Sequence, residues 1–200
     1  MAGKIVHVPR VLYHWRVHSA STADNPASKL YAYEAGKKAI EGNLLRCGET
    51  GTVTLRSDYG FYDVEYQLQG TPLVSILIPN KDQADTLRTC IESIRKKCTY
   101  PAFEILVIEN NSTEEATFSY YKELEAQGIR VLQYPKQGFN YSAINNFGVR
   151  EAKGEYLLFL NNDMEVITPD FMEKMVSNLQ RPKIGAVGAK LYLSLIHISE

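Results

Sequence analysis

From Leu73 onward, short apolar runs alternate with longer stretches whose apolar residues recur at helical spacing. Leu87, Ile91 and Ile94, for example, recur at steps of four and three, which places them on one face of a helix. This alternation is typical of βαβ units and predicts an α/β fold with an open, mostly parallel sheet. The predicted strands are Leu73–Ile78, Phe103–Ile108, Ile129–Gln133, Tyr156–Leu160 and Ile184–Ala189.

Local signals in this region predict where elements begin and end. Pro79 is expected to end the first strand, because proline cannot donate a hydrogen bond to a neighbouring strand. Thr168 as the cap and Pro169 as the first helical residue predict the start of the last helix. Tyr156–Leu160 is apolar on both faces, which predicts a central strand. The predicted helices are one that carries Leu87 and ends before Tyr100, then Thr113–Gln127, Tyr141–Ala152 and one from Pro169 to about Gln180.

Residues 1–70 carry a mixed pattern that predicts a small α+β segment. A strand is expected near Val11–His18, a helix near Ser28–Arg46, and a hairpin-like strand pair at Thr52–Arg56 and Tyr62–Leu68. So few elements are not expected to form a substantial core by themselves. Residues 193–200 are strand-like but reach no turn or closing helix, and we interpret them as an atypical tail at a truncation. The sequence therefore divides into segments 1–25, 26–71, 72–192 and 193–200.

Composition and charge argue against several classes of protein. With 22 Lys+Arg against 23 Asp+Glu, the chain lacks the basic excess that binding to nucleic acid needs. Its apolar runs are strand-length, far short of the ~20 residues that span a bilayer, and its first residues do not resemble a secretory signal. Three cysteines without a C-x-x-C pair argue against a disulfide framework or a cysteine zinc site. We therefore expect a cytoplasmic protein with reduced cysteines.

Polar residues follow the predicted strands. Asn80 and Asp82 follow the first strand, Glu109–Ser112 follow the second, and Asn161–Asp163 follow the fourth. Ligands of open parallel sheets bind beyond the carboxyl ends of the strands, where these residues should gather. Carboxylates there suit ribose hydroxyls or a hard divalent cation, which one or two carboxylates commonly hold together with substrate phosphates. The sequence therefore predicts a site for a nucleotide diphosphate.

Four stretches of the second region occur in a characteristic order. They are Val74–Asn80, Ile105–Thr113, Asn146–Gly148 and Ala152–Asp163, the last of which ends in a D-x-D-like motif. By these motifs, Leu73–Tyr192 resembles the N-terminal, nucleotide-sugar-binding half of a family 2 glycosyltransferase with the GT-A fold, a Rossmann-like sheet. The resemblance extends over more than half of the chain and does not include the family's acceptor-binding half.

The resemblance implies roles for particular residues. Pro79 and the stretch Asn80–Asp82 would border the nucleotide base, and Glu109 would meet the base or the ribose. Asp163 would bind a Mg²⁺ or Mn²⁺ ion that bridges the diphosphate and stabilises charge on the departing nucleotide. Asn161 stands where the motif has its first acid, so it can form hydrogen bonds but adds no charge. The residues assigned to the donor are Pro79, Asn80, Asp82, Glu109, Asn111, Asn146, Asn161 and Asn162, with Asp163 as the metal ligand.

The resemblance also implies a reaction, the inverting transfer of a hexosyl or rhamnosyl sugar from a nucleotide-diphosphate sugar to a glycan or lipid-linked acceptor. The setting would be bacterial surface polysaccharide synthesis. Parts of the protein that are missing from this chain would associate with the inner face of the membrane. The general base is expected beyond residue 200, so no catalytic residue is assigned and the chain alone is expected to be inactive. Two alternatives stay open: a nucleotidyltransferase on a similar sheet, and a nucleotide-binding module without catalysis. A dinucleotide-dependent oxidoreductase lacks support, because no G-x-G-x-x-G follows Ile78.

Several candidates also have a structural interpretation. Asp82 could cap the predicted helix that carries Leu87. Glu109 could cap the turn that follows Glu109 itself, and Asp163 could be a turn residue. Glu165, two residues beyond Asp163, could share its face and act around the metal. Val8–His18 resembles the closing segment of an upstream family 2 domain. Residues 26–71 resemble the connector found before such a domain in tandem members. His18 would be either a metal ligand of the upstream domain or an ordinary surface residue.

Overall fold

The computed structural model describes residues 6–14, 16 and 29–192. The chain forms two compact units, Met1–Glu65 and Tyr66–Glu200. The division between them falls earlier than the boundary expected between residues 71 and 72. The atypical tail predicted at 193–200 lies outside the described residues.

The described part of the first unit contains a helix and a pair of strands, the second of which ends one residue beyond the boundary. Helix α1 spans Leu30–Cys47, and strands β1 and β2 span Gly51–Leu55 and Tyr62–Tyr66 in a two-stranded sheet. The predicted helix and strand pair are therefore confirmed. Leu44 of α1 and Val53 of β1 are the large apolar side chains that the described part of this unit buries. Its core is accordingly small, as expected for so short a segment.

The strand predicted at Val11–His18 is wrong for the residues that the structure describes. Residues 6–14 and 16 form no strand, and Val11, Leu12 and Tyr13 are all exposed. An alternation of apolar and polar residues forms a stable strand only where a neighbouring strand pairs with it. Trp15 and His18 lie outside the described residues.

The second unit is an α/β layer structure, as predicted. Four strands lie in the order β5-β4-β3-β6, and every neighbouring pair is parallel. Within the described ranges, no helix is long and apolar enough to cross a membrane. The strands are β3 (Val74–Asn80), β4 (Phe103–Glu109), β5 (Arg130–Gln133) and β6 (Tyr156–Phe159), and the helices are α2 (Ala84–Lys97), α3 (Glu115–Ala126), α4 (Tyr141–Glu151) and α5 (Phe171–Leu179).

Helices cover the sheet on both faces. Ile76 and Val107 face one side, where they pack with α2, α3 and α5. Leu77 and Ile108 face the other side, where they pack with Ile144 of α4. Neighbouring residues of a strand point to opposite faces, so the apolar runs of β3 and β4 fill two cores at once.

Strand β3 continues through Pro79 to Asn80, beyond its predicted end. The carbonyl oxygen of Leu77 accepts from the backbone N of Leu160, and that of Asn80 accepts from the backbone N of Asn110. Because hydrogen-bonding groups alternate between the two sides of a strand, the nitrogen of Pro79 faces the β6 side, past the last residue of β6. The missing N–H therefore removes no bond from the sheet, and the strand tolerates the proline.

Two other predictions about strands are wrong. In the described part of the chain, Tyr156–Leu160 contributes the edge strand β6, not a central one, and Phe159 is 48% exposed. The segment Ile184–Ala189 forms no strand. In both cases apolar residues indicated burial, but their pattern carries no information about which neighbour would pair with them.

The last helix begins at Phe171 rather than at Pro169. The carbonyl oxygen of Pro169 accepts from the backbone N and the hydroxyl of Thr99, both at 3.1 Å. The backbone N of Phe171 donates to the carbonyl oxygen of Thr168 in a tight turn. These contacts hold Thr168 and Pro169 in the loop, so the capping signal lies two residues early.

Candidate functional site

The carboxyl ends of the strands bring the predicted polar residues to one edge of the sheet. Asn80 and Glu109, the last residues of β3 and β4, are direct partners in the parallel register. Phe159 pairs with Leu77 in the register of β6, so Asn161–Asp163 reach the same edge. Ligand sites of parallel sheets form at this kind of edge.

Asn80 lies inside this edge, with only 2% of the residue exposed. Its Nδ2 donates to the carbonyl oxygen of Asp82 at 3.0 Å and to the hydroxyl of Tyr121 at 2.7 Å. Its Oδ1 accepts from Nδ2 of the half-buried Asn162 at 2.7 Å. Both amide protons and the amide oxygen are therefore occupied, and Asn80 joins its own loop to α3 and to the loop after β6.

Glu109 also serves the loop in which it lies. It is buried, and its carboxylate accepts from the backbone N of Ser112. The Ser112 Oγ accepts in turn from the backbone N of Asp82 at 2.9 Å and lies 3.3 Å from the Tyr121 hydroxyl. The turn-capping interpretation of Glu109 is the one that the geometry shows.

Asp82 links the loops that follow β3 and β4. Its Oδ1 accepts from the backbone N of Thr113 at 2.7 Å and of Glu114 at 3.0 Å. These hydrogen bonds hold the pKa of the Asp82 carboxyl below its usual value. The interpretation of Asp82 as the cap of the first helix is wrong, because Gln83 precedes α2. Asp82 instead binds the N–H groups that lead into α3, where a carboxylate also meets the positive end of the helix dipole.

Asn111 joins the loops after β4 and β5. Its φ of 59° lies in the left-handed region, which asparagine tolerates better than most residues. Its Nδ2 donates to the carbonyl oxygen of Lys136 at 3.2 Å, and its Oδ1 accepts from the backbone N of Gly138 at 3.1 Å. Four of the residues that were predicted to bind the sugar donor thus brace the loops of this edge: Asn80, Asp82, Glu109 and Asn111.

Other predicted residues face solvent. Asn161 and Asp163 are exposed beyond β6, and Asn146 is exposed on α4. Glu165 is exposed too, but its carboxylate lies 2.7 Å from Nζ of Lys97. That ion pair ties Glu165 to α2, so its carboxylate is already engaged.

The residues of this edge fit a metal ion that the ligand helps to hold. Among the described residues, no three His, Cys, Asp or Glu side chains form a cluster that could bind a metal by itself. Asp163 provides one exposed carboxylate. Mg²⁺ is usually bound by one or two carboxylates together with substrate phosphates and water. The donor set therefore suits an ion shared with a diphosphate rather than a resident metal in a closed cage.

Two buried amide oxygens at this edge were not assigned from the sequence. Oδ1 of Asn110 and Oδ1 of Asn145 have no hydrogen-bond partner among the described residues, although each residue is at least 95% buried. Asn110 follows Ile108 by two residues and so lies on the face of the sheet covered by α4. Asn145 precedes Gly148, which packs against Ile108, by about one helical turn. Both oxygens are candidates to accept hydrogen bonds from a ligand.

The sequence held a partial signal for these two residues. Asn110 is one of four consecutive polar residues that follow a predicted strand, Glu109–Ser112. Asn145 and Asn146 are identical neighbours, and the motif pointed to Asn146, whereas the helix buries Asn145. Only the packing of α4 against the sheet separates them.

One of the cysteines supports the loop after β6. All three are free, and Cys47 is exposed. The buried Cys90 donates from Sγ to the carbonyl oxygen of Asn161 at 3.7 Å. Burial raises the pKa of the Cys90 thiol to about 12, so it stays protonated at neutral pH and supports the loop after β6.

Comparison with known proteins agrees with this geometry. The family model described as Glycosyl transferase family 2 matches residues 75–194. The chain is 43% identical over 187 residues to the O-antigen biosynthesis protein RfbC of Myxococcus xanthus, an alignment that covers 94% of the chain and 14% of that protein. It is 41% identical over 192 residues to the protein y4gI of Sinorhizobium fredii, with 94% and 21% covered. The chain thus spans a small part of the length of these relatives.

A solved structure shares the fold. The mannosyltransferase PcManGT of Pyrobaculum calidifontis, determined in complex with GDP-Man and Mn²⁺, superposes with a TM-score of 0.51 at 17% identity, over 80% of this chain and 44% of that one. This similarity supports the GT-A fold. Because the family model covers more than half of its residues, the chain belongs to glycosyl transferase family 2.

Proposed function

We propose that this chain is the donor-binding half of a GT-A domain and binds a nucleotide-diphosphate sugar at the carboxyl edge of its sheet. The observation that carries the proposal is the exposed carboxylate of Asp163 at the same edge as two buried, unpartnered amide oxygens. A polar ligand with its own cation and N–H donors matches both features. Membership of family 2 supports the choice of a sugar donor.

Asp163 would hold Mg²⁺ or Mn²⁺, and the ion would offset the charge of the departing nucleotide diphosphate. Asn161 is exposed next to it and would bind a ribose hydroxyl without adding charge. Asn110 and Asn145 would accept hydrogen bonds from N–H groups of the base. Asn80, Asp82, Glu109 and Asn111 would shape the pocket by bracing its loops, Pro79 would line it with its backbone, and Asn146 and Asn162 would complete its rim.

The full reaction would be inverting transfer of a hexosyl or rhamnosyl group to a glycan or lipid-linked acceptor. Such a displacement needs a general base for the acceptor hydroxyl. Among the described carboxylates of the edge, Asp82, Glu109 and Glu165 already accept from backbone N–H groups or a lysine. We therefore place the base outside this chain and expect donor binding by the chain alone, without turnover.

The biological setting would be the synthesis of bacterial surface polysaccharide. A relative that bears the name O-antigen biosynthesis protein supports this part of the proposal. A cytoplasmic site at the inner face of the membrane would let a nucleotide sugar meet a lipid-linked acceptor.

Calorimetric titration of the chain with UDP, dTDP and GDP tests the proposal, each with Mn²⁺, with Mg²⁺ and with chelator. Asp163→Ala should lower the metal-dependent affinity. The loss should be at least roughly 10- to 100-fold, which is what loss of a residue that only supports the ligands costs a metal site. Asn161→Ala should cost about 0.5–1.5 kcal/mol, because it removes one neutral hydrogen bond.

Glu165→Ala is the matched control, since it removes an exposed carboxylate two residues away that pairs with Lys97. It should leave the metal-dependent affinity unchanged. Equal binding in chelator, or an intact metal effect in Asp163→Ala, would show that the site is assigned wrongly.

A further inference from the structure

The Tyr121 hydroxyl lies at the junction of the loops that form the candidate site. Tyr121 belongs to α3 and is 5% exposed. Its hydroxyl accepts from Nδ2 of Asn80 at 2.7 Å and lies 3.3 Å from Oγ of Ser112. Through Asn80 it is linked to Nδ2 of Asn162, again over 2.7 Å, and Asn162 precedes Asp163. One hydroxyl thus connects the loops after β3, β4 and β6.

The hydrogen-bond inventory shows why this hydroxyl matters. An asparagine amide has two protons, and those of Asn80 go to the Asp82 carbonyl oxygen and the Tyr121 hydroxyl. Without the hydroxyl, one buried proton would lose its partner, which is unfavourable. Asn80 would then no longer be held in the orientation that receives Asn162.

Tyr121 can play this part at neutral pH because its hydroxyl stays protonated. Burial raises the pKa of the Tyr121 hydroxyl above its usual value, although the hydrogen bonds with Ser112 and Asn80 act in the opposite direction. A neutral hydroxyl can accept from Asn80 and still offer its own proton to Ser112.

We propose that Tyr121 is a positioning residue for the nucleotide-sugar donor. It holds the loop of Asn162 and Asp163 through Asn80, and the loop after β4 through Ser112, without touching the ligand. This inference rests on the proposed function, because its readout is metal-dependent binding of a nucleotide diphosphate at Asp163.

The test compares Tyr121→Phe with the unchanged chain in titrations of UDP with Mn²⁺ and with chelator. We expect the Mn²⁺-dependent affinity to fall about two- to tenfold, the range for one hydrogen bond. Affinity in chelator should change less, because the variant displaces the Asp163 loop. If Tyr121 only stabilised the fold, Tyr121→Phe would lower the melting temperature and would affect the affinities with Mn²⁺ and with chelator equally.

Tyr120→Phe is the matched control. Tyr120 is the adjacent residue of α3, is also buried, and carries the Arg88 guanidinium 4.0 Å above its ring. Its hydroxyl makes no hydrogen bond with the described residues, and phenylalanine keeps the ring. This variant should bind UDP as the unchanged chain does.

A double-mutant cycle tests the route through Asn80. If Tyr121 acts through Asn162, the losses in Tyr121→Phe and Asn162→Ala should be less than additive in the double variant. Additive losses would overturn the proposal. Should Tyr121→Phe not fold, Asn162→Ala alone tests the link to the Asp163 loop, since it removes the hydrogen bond to Asn80. Unchanged Mn²⁺-dependent affinity would then overturn the proposal.

The outcomes separate this inference from the proposed function. If the unchanged chain does not bind UDP, dTDP or GDP in a Mn²⁺-dependent way, the proposed function fails and this inference fails with it. If the unchanged chain binds and Tyr121→Phe binds equally well, only the positioning role is wrong.

Discussion

The two edges of the same four-stranded sheet treat their polar groups in opposite ways. At the amino edge, the Ser75 hydroxyl donates to Oε1 of Glu104 at 2.6 Å, and that oxygen also accepts from the backbone N of Lys153 at 2.7 Å. The backbone N of Gly154 donates to Oγ of Ser75 at 2.8 Å. These groups satisfy one another across β3, β4 and the turn before β6.

The carboxyl edge combines a similar frame with groups that have no partner. Asn80, Glu109 and their neighbours are hydrogen-bonded within the protein, but Oδ1 of Asn110 and Oδ1 of Asn145 are buried without a partner among the described residues. Asp163 is exposed beyond the end of β6, at the same edge of the sheet. Buried polar groups in folded proteins are nearly always paired.

The contrast shows where stability ends and binding begins. A polar network that is complete within the chain fixes strands and turns. Away from this edge, the described residues bury one further side-chain oxygen without a partner, Oε2 of Glu173, whose other carboxylate oxygen accepts from the Thr99 hydroxyl at 2.7 Å. The two amide oxygens left unpaired at the edge where parallel sheets bind ligands mark the part of the molecule suited to a partner of other chemistry. Variants of each edge should therefore affect different measurements.

The largest expected effect is that of Gly154→Ala at the amino edge. A Cβ at this position would lie 2.5 Å from the backbone N of Ser75 and 2.8 Å from the carbonyl oxygen of Leu73. Because these are backbone atoms of the sheet region, they cannot move without shifting β3. We expect the free energy of unfolding in urea to fall by about 3 kcal/mol, the upper part of the usual cost of overpacking.

Gly188→Ala is the control for this variant, because a Cβ there would meet open space. It should leave the unfolding free energy nearly unchanged. If both variants cost the same, the amino edge is not the rigid frame that the contrast requires.

A smaller effect with the opposite signature is expected for Asn110→Ala at the carboxyl edge. Removing an unpaired buried oxygen should leave the unfolding free energy almost unchanged. The affinity for nucleotide diphosphate, measured by calorimetry, should fall by about 0.5–1.5 kcal/mol if the oxygen accepts from the ligand.

Its neighbour provides the comparison. Asn111→Ala removes an amide that bridges two loops at a φ of 59°, a conformation that alanine adopts with strain. It should lower stability. A loss of stability in Asn110→Ala with unchanged affinity would place Asn110 in the frame and break the contrast at this edge.

The sequence predicted the layers of the fold well, because a periodic pattern records burial. The described strands and helices of the second unit lie where the alternation of apolar runs placed them, although the strand predicted at Ile184–Ala189 does not form. The position of β6 at the edge was missed, since its apolar residues indicate cover but do not identify the neighbour. Pro79 was misjudged for a related reason: whether a missing N–H costs a bond depends on where the adjacent strand ends.

For the candidate site, the sequence predicted the edge but not the orientation of its side chains. Asn80 and Glu109 lie at the carboxyl edge, where the sequence placed them, yet both turn inward. Their hydrogen-bond partners determine this orientation, and one partner of Asn80 is Tyr121, which lies 41 residues away on α3. Such a contact depends on the packing of α3, which no local motif encodes.

The smallest expected effect concerns the link that Asp82 makes between the loops after β3 and β4. The folded-state pKa of its carboxyl lies below the usual value of 3.8 because two backbone N–H groups donate to it. A lowered pKa means that the ionised carboxyl stabilises the fold above its usual pKa, and that this contribution disappears as the pH falls through the folded-state value.

Asp82→Ala should therefore lower the free energy of unfolding at neutral pH, and the difference from the unchanged chain should shrink in acid. Asp82→Asn keeps an accepting oxygen without the charge, so it should retain part of the stability and show no such pH dependence. Urea unfolding of the three proteins across this pH range provides the measurement. A difference that persists in acid would mean that packing, not charge, joins the two loops.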